Sequence, residues 1–321
     1  MSEKTRVVGF DMGGTKMLAS VLDEDYKELA SAKVRTPIGA SPKETVSTIA
    51  DLIAEALGEA GTEPAQVAAI GIAVPGPIDR ADGRVILMPN VAMEDYPLRD
   101  KLQDKLDVPV VLENDVNAGT YGEYVSGAAK GMQNVIGIFP GTGVGGGIII
   151  AGRLYRGRTG SAGEFGHMIV EAGGRRCGCG KLGCLEAVAS KTAIAKDLVH
   201  LALNGQADTV LEKAGTDISL IKSGVIKKAM DAGEKAVIEV VERAAWYLGV
   251  GLGSLVDVFD PDVVVVGGGL VEKLGKTYLE PVEKSMREHS MIDSDVELVA
   301  ASLGDDSVTI GAAALARQEQ E

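Results

Sequence analysis

Basic charge is scarce in this chain: 32 lysines and arginines face 46 aspartates and glutamates, leaving a net charge of −14. A surface of that sign repels polyanions, which argues against binding nucleic acid through its phosphates. Histidines and cysteines number only 3 each, and aromatic residues make up 4% of the chain. The cysteines are an odd set, Cys177, Cys179 and Cys184, crowded into eight residues. That arrangement favours a metal over a disulfide framework. The N-terminus, Met1 to Arg6, lacks the apolar stretch and small-residue cleavage site of a secretion signal, and a cytoplasmic protein is expected. One uncharged stretch, Gly131 to Gly152, is long enough to span a bilayer, but Pro140, Gly141, Gly143 and Gly145 to Gly147 interrupt it. It reads as two buried strands joined by a loop. Glycine, by contrast, is abundant at 42 residues, and 321 residues with 45% apolar and 24% charged composition suit a folded protein of two domains.

Two segments repeat one pattern of apolar strand, glycine turn and apolar strand. The first runs Arg6–Phe10, Asp11–Lys16, Met17–Leu22, and the second Val135–Phe139, Pro140–Gly143, Val144–Ile150. The repetition suggests two related domains. Between them, Ser41-Pro42-Lys43-Glu44 is a capping box with proline at the first helical position, predicting a helix to about Leu57. Val67–Val74 and Val108–Leu112 alternate with helical text and read as buried parallel strands of an α/β fold. Helical text then runs from about Glu186 to Leu203 and from about Glu234 to Val258. Val263–Val266 is a buried strand ending in the glycine turn Gly267–Gly269, and a last helix starts near Ser307.

A glycine loop cradles phosphate by offering backbone N–H donors with no Cβ in the way. No G-x-x-x-x-G-K-[ST] is present, which excludes a P-loop. Gly141-x-Gly143-x-x-Gly146 leads into a strand, so it lacks the helix N-terminus of a dinucleotide site. Asp11-x-Gly13-Gly14-Thr15-Lys16 combines donors with a carboxylate able to reach a hydrated magnesium ion. Either hairpin alone is equally well explained as a tight turn; both, with Gly267–Gly269, point to a nucleotide. Asp115 follows a strand at its C-terminal end, where α/β proteins place ligands. A carboxylate there can accept the proton of a hydroxyl attacking a γ-phosphoryl group. Asn114 and Asp115 also suit the cap of the next helix, and the two roles are compatible. Cys177-x-Cys179-x4-Cys184, with His167 ten residues upstream, supplies three thiolates and an imidazole, a donor set for tetrahedral zinc in a closed, structural site.

Taken in order, Asp11 to Lys16, Glu113-Asn114-Asp115-Val116-Asn117, Gly141 to Gly147, Glu164-Phe165-Gly166-His167 and Cys177 to Glu186 resemble the ROK family of sugar kinases and repressors. The resemblance implies an α/β protein of the actin-like, hexokinase-like ATPase fold, with two RNase H-like lobes around a cleft. The lobes are expected at residues 1–118, completed by 305–321, and at 119–304. The implied activity is ATP-dependent phosphorylation of a hexose 6-hydroxyl, glucose first. N-acetylglucosamine, N-acetylmannosamine and fructose are the alternatives, and polyphosphate is open as a donor.

Carried over residue by residue, Asp115 is the catalytic base, and Asn90, Asn114, Asp115, Glu164, His167 and Glu186 bind the sugar. Gly9, Asp11, Gly13, Gly14, Thr15, Lys16, Gly141, Thr142, Gly143, Gly267, Gly268 and Gly269 surround ATP. Zinc sits on His167, Cys177, Cys179 and Cys184, and magnesium comes with ATP. An imidazole with one nitrogen on zinc carries its proton on the other, which fixes His167 as a donor to a sugar oxygen. A homodimer is expected, with no nucleic-acid or membrane partner. Repressors of the family carry a helix-turn-helix domain ahead of the first phosphate loop; here that loop begins at Asp11, so a kinase is expected before a sugar-responsive regulator.

Overall fold

The computed structural model describes residues 5–88, 91–292 and 295–320. Its contacts divide the chain into two units, Met1–Met132 with Gly147–Ala162 and Ser302–Glu321, and Gln133–Gly146 with Gly163–Ala301.

In the first unit the alternation predicted for the first hairpin becomes β1 (Arg6–Met12) and β2 (Lys16–Leu22), paired antiparallel, with β3 (Glu28–Arg35) antiparallel on the far side of β2. The capping box opens α1 (Pro42–Glu59): Ser41 Oγ accepts from Glu44 N at 3.3 Å, and the Glu44 carboxylate accepts from Ser41 N at 2.8 Å. Val46, Ile49, Ile53 and Ala56 repeat at helical spacing and are buried on one face, each large side chain contributing about 1.5–3 kcal/mol. β4 (Val67–Val74) follows, then β5 (Ile78–Asp79), β6 (Arg84–Met88) and β7 (Met93–Tyr96) as a separate three-stranded sheet. α2 (Leu98–Leu106) leads to β8 (Val110–Asn114), and α3 (Asp115–Ser126) starts at the very next residue. The main sheet has the order β3-β2-β1-β4-β8, with β1, β4 and β8 parallel. One of its faces packs Phe10, Met17, Ile70 and Ile72 against Ile49 and Ile53 of α1 and Leu102 of α2.

The strand before Asp115 begins two residues later than the apolar run predicts. Pro109 has no N–H for the ladder, and regular pairing starts at Val110 and carries on to Asn114.

The second hairpin is β9 (Val135–Pro140) and β10 (Val144–Ile150), followed by β11 (Arg153–Leu154). Helical text after Glu186 divides into α4 (Glu186–Ala189) and α5 (Lys191–Leu203), because Ser190 is extended and its hydroxyl caps Ala193 N at 3.0 Å. Then come α6 (Asp208–Ala214), α7 (Ser223–Asp231), the 25-residue α8 (Lys235–Phe259), β12 (Val263–Val266), α9 (Gly269–Leu274), α10 (Lys276–His289) and β13 (Glu297–Ala300). The second sheet has the order β11-β10-β9-β12-β13, with β12 parallel to both β9 and β13. Among the described residues no helix is long and apolar enough to cross a membrane.

The chain returns to the first unit at Ser302 and ends in α11 (Asp306–Gln318). The fully buried Glu123 of α3 holds that return, accepting from Ser302 N at 3.0 Å, Leu303 N at 2.9 Å and Ala128 N at 2.8 Å. α11 lies on the second face of the main sheet at backbone distance. Gly9 and Gly71 are neighbours in the β1–β4 register. A Cβ on Gly9 would lie 1.8 Å from Thr309 O, and one on Gly71 1.9 Å from Ala312 O. No side chain fits in such a gap, so glycine is required at both positions.

Candidate active site

The first unit brings one group of predicted residues together. Asp11 lies in β1 and Asp115 is the first residue of α3, and β4, which pairs with both β1 and β8, brings the two strand ends side by side. The loop Gly13–Thr15 is exposed or partly exposed and is pinned by a residue without a motif: Thr36 donates its hydroxyl to Gly13 O at 2.6 Å and its N–H to Thr15 O at 3.0 Å. Lys16 forms an ion pair with Asp305, just ahead of α11. Asn114 caps α3, its Oδ1 accepting from Val116 N at 2.9 Å and Asn117 N at 3.1 Å. Asp115 Oδ1 shares the Val116 N–H, also at 2.9 Å. Cap and candidate base are therefore one rigid turn.

Burial first, and then the charge of Asp115, push the Asp11 carboxyl from 3.8 up to about 7, against the pull of Lys16. A folded pKa above the unfolded one means that the charged form costs stability. The cost is absent below about pH 4, grows between about pH 4 and 7, and is complete above that range. Without nucleotide or magnesium, Asp11→Asn is therefore expected to raise the melting temperature at about pH 8 and leave it unchanged at about pH 4. Equal shifts at both pH values in a thermal melt would contradict this account.

The second unit gathers another group. Gly141 O accepts from Lys191 N at 2.9 Å and Thr142 O from Thr192 Oγ1 at 2.7 Å, so the start of α5 fixes the second glycine loop. Gly267 N donates to Ile138 O at 2.9 Å, which sets Gly267–Gly269 beside the same loop, and Gly268 takes a φ of 90°. Glu186 reaches the loop from α4: its Oε2 accepts from Val144 N at 3.3 Å, and a Cβ on Gly143 would fall 2.4 Å from that oxygen. Its Oε1 accepts from the Cys177 thiol at 3.3 Å. Glu164 is exposed at the head of the single turn Phe165–His167.

His167, Cys177, Cys179 and Cys184 bring their ligand atoms within 4.8 Å of one another. Cys177 Sγ lies 3.7 Å from His167 Nδ1, and Cys179 Sγ lies 3.7 Å from Cys184 Sγ. A tetrahedral ion with metal–sulfur bonds of about 2.3 Å has sulfur–sulfur edges of about 3.8 Å. The four residues therefore fit such an ion in both chemistry and spacing, with Nδ1 of His167 turned to the cluster and Nε2 away from it. Burial pushes the Cys177 thiol up to about 12, so a bound ion must displace its proton. The loop is held from outside by Arg175, whose Nη1 donates to both oxygens of Asp197 at 2.9 Å, while Arg243 donates to the same carboxylate at 2.7 Å.

Among the remaining predicted residues, Asn90 lies outside the described residues. Gly9 sits within β1, where its contact with α11 already accounts for glycine. The two other histidines have partners of their own: the ring of His200 lies 3.3 Å from Asn204 Nδ2, and His289 Nδ1 lies 2.8 Å from Ser285 O with Trp246 edge-on to the ring. Thr36, Asp305, Asp197 and Arg243 were missed because each acts on a residue distant in sequence.

Residues 7–319 match the ROK family. The chain is 37% identical over 318 residues to a glucokinase of Streptomyces coelicolor, covering 97% of each protein. It is 32% identical over 313 residues to a xylose repressor of Bacillus subtilis, covering 95% of this chain and 75% of that protein. A ROK family glucokinase of Streptomyces griseus, solved in complex with glucose and AMPPNP, is 37% identical and superposes with a TM-score of 0.83 over 98% of this chain and 99% of that one. The motifs, the two five-stranded sheets and these likenesses agree along the whole length: the chain belongs to the ROK family.

Proposed function

We propose that this protein is an ATP-dependent hexose kinase that phosphorylates the 6-hydroxyl of glucose. The observation that carries the reading is the pair Asp11 and Asp115, which sit close enough for the charge of one to raise the pKa of the other, beside the glycine loop at residues 13–15. A kinase needs an acceptor for the hydroxyl proton next to groups that hold phosphate and magnesium, and little else in covalent chemistry. The glucokinase relative is 37% identical to this chain and the xylose repressor 32%, which also favours the kinase.

In the first unit Asp115 takes the proton of the attacking hydroxyl and Asn114, locked as the cap of α3, donates its side-chain amide to the sugar. Asp11 accepts from water around magnesium, and the amides of Gly13, Gly14 and Thr15, with Lys16, serve phosphate oxygens. In the second unit the amides at Gly141–Gly143 and the turn Gly267–Gly269 serve the nucleotide, while Glu164, His167 and Glu186 serve sugar hydroxyls. When bound with ATP, magnesium would supply neutralisation of charge on the transferred phosphoryl group. Zinc is the ion that His167, Cys177, Cys179 and Cys184 suit, and when bound it fixes the tautomer with the proton on Nε2 of His167. A sugar that leaves one of these polar groups unpaired is penalised.

A coupled assay over glucose, fructose, N-acetylglucosamine and N-acetylmannosamine, with ATP or polyphosphate as donor, tests the reading. Glucose with ATP is expected to give the highest kcat/KM. A higher kcat/KM for an N-acetylated sugar would replace the substrate, and no turnover of any sugar would overturn the kinase.

A further inference from the structure

Glu113 precedes Asn114 and Asp115 and is only 3% exposed. Its two oxygens face different parts of the first unit. Oε1 accepts from Asn114 N and Asn117 Nδ2, both at 3.0 Å, and so grips the first turn of α3. Oε2 accepts from Arg156 Nε at 2.7 Å and lies 3.4 Å from Arg80 Nε. Arg80 comes from the turn between β5 and β6, and pairs in addition with Glu319 just beyond α11. Arg156 belongs to the segment after β11. A carboxylate buried between two guanidinium groups is a poor investment in stability, because desolvation offsets most of the attraction. The rest of β8 shows the simpler solution, since Val110, Val111 and Leu112 are buried and apolar.

We infer that Glu113 is a positioning residue for the phosphoryl transfer, acting through Asp115; this rests on the reading of Asp115 as the base. The contacts run without a break. Arg156 and Arg80 orient Glu113, and Glu113 holds Asn114 N and the Asn117 side chain. Asn114 in turn caps Val116 N, and that N–H holds Asp115 Oδ1. Displacing a reacting group by about 1 Å costs on the order of 10² in rate. The carboxylate touches neither sugar nor nucleotide in this assignment, and the Asn114 side chain keeps its own cap bonds to Val116 N and Asn117 N, so losing the carboxylate lowers turnover more than it weakens sugar binding.

The test is a double-mutant cycle of Glu113→Gln with Asp115→Asn, measuring kcat and hexose KM for all four proteins. Glu113→Gln alone is expected to lower kcat about 10- to 100-fold with KM within about threefold. On the Asp115→Asn background it is expected to lower the residual kcat by less than about threefold, because the base it positions is gone. A Glu113→Gln enzyme with parental kcat overturns the inference, as does a full loss repeated on the Asp115→Asn background, which would mean general damage. If Asp115→Asn itself keeps the parental rate, the base assignment fails and this inference with it. If Asp115→Asn is slow and Glu113→Gln is not, only this inference fails. Should Glu113→Gln not fold, as judged by circular dichroism, Arg156→Lys replaces it in the same cycle with the same outcomes, since it keeps the charge but loses the Nε–H that donates to Glu113 Oε2.

Discussion

Asp115→Asn is expected to lower kcat by about 10²–10⁴ while hexose affinity stays within a few-fold. The substitution is close to isosteric, and the structure gives a reason why it should leave the fold alone. The cap of α3 is made by Asn114, and the bond from Val116 N to Oδ1 of residue 115 survives with an amide oxygen as acceptor. What changes is the ability to take a proton. On the proposed assignment the loop amides, and magnesium when bound, would still stabilise the transferred group, so a residual rate is expected. Steady-state kinetics with a titration calorimetry measurement of hexose binding would check both halves. A variant with kcat within about threefold of the parent rejects Asp115 as the base, and one that cannot bind hexose assigns Asp115 to binding instead.

Cys179→Ser is expected to raise the hexose KM about 5- to 150-fold and leave the ATP KM unchanged. Cys179 is the informative ligand because it is the exposed one; Cys177 and Cys184 are 4% and 0% exposed, and replacing either would also disturb packing. A serine hydroxyl at neutral pH is no substitute for a thiolate, so an ion held by the four residues would be released and the His167 ring would lose the partner that holds Nδ1. Its Nε2–H then no longer has a fixed direction. A sugar hydrogen bond lost in this way costs about 1–3 kcal/mol, which is the quoted range in affinity. Elemental analysis of the parent is expected to give one zinc per chain. A well-folded parent with no zinc, or a Cys179→Ser enzyme with parental hexose KM, would leave the cysteines without a part in substrate binding.

Much of this was legible in the sequence because the signals are local. The capping box at Ser41–Glu44, the two glycine hairpins, the strand Val67–Val74 and the Cys-x-Cys spacing each involve residues a few positions apart, and the structure places the elements close to where those patterns put them. Even the break at Ser190 has a local cause, the hydroxyl cap on Ala193, although helix-forming residues on both sides hide it. Contacts across the chain were not legible. Lys16 meets Asp305 at a separation of 289 residues, Thr36 holds a loop 21 to 23 residues earlier, and Glu113 meets Arg156 43 residues on. Nothing in a single segment announces such a partner. Gly71 reads on its own as a weak spot in a strand, and its reason, the carbonyl of Ala312, becomes visible only once α11 is in place.

That helix also sets a timetable. α11 is residues 306–318, yet it covers Gly9, Gly71 and the small side chains Ala69 and Ala73 on strands made near the start of synthesis. At about 5–20 residues per second, translation from the end of β8 to the start of α11 takes about 10–40 s. Through that interval the strands of the main sheet lack the helix whose backbone Gly9 and Gly71 are shaped to receive. The first unit is therefore complete only once α11 has been made, about 190 residues after the strand β8 it packs near.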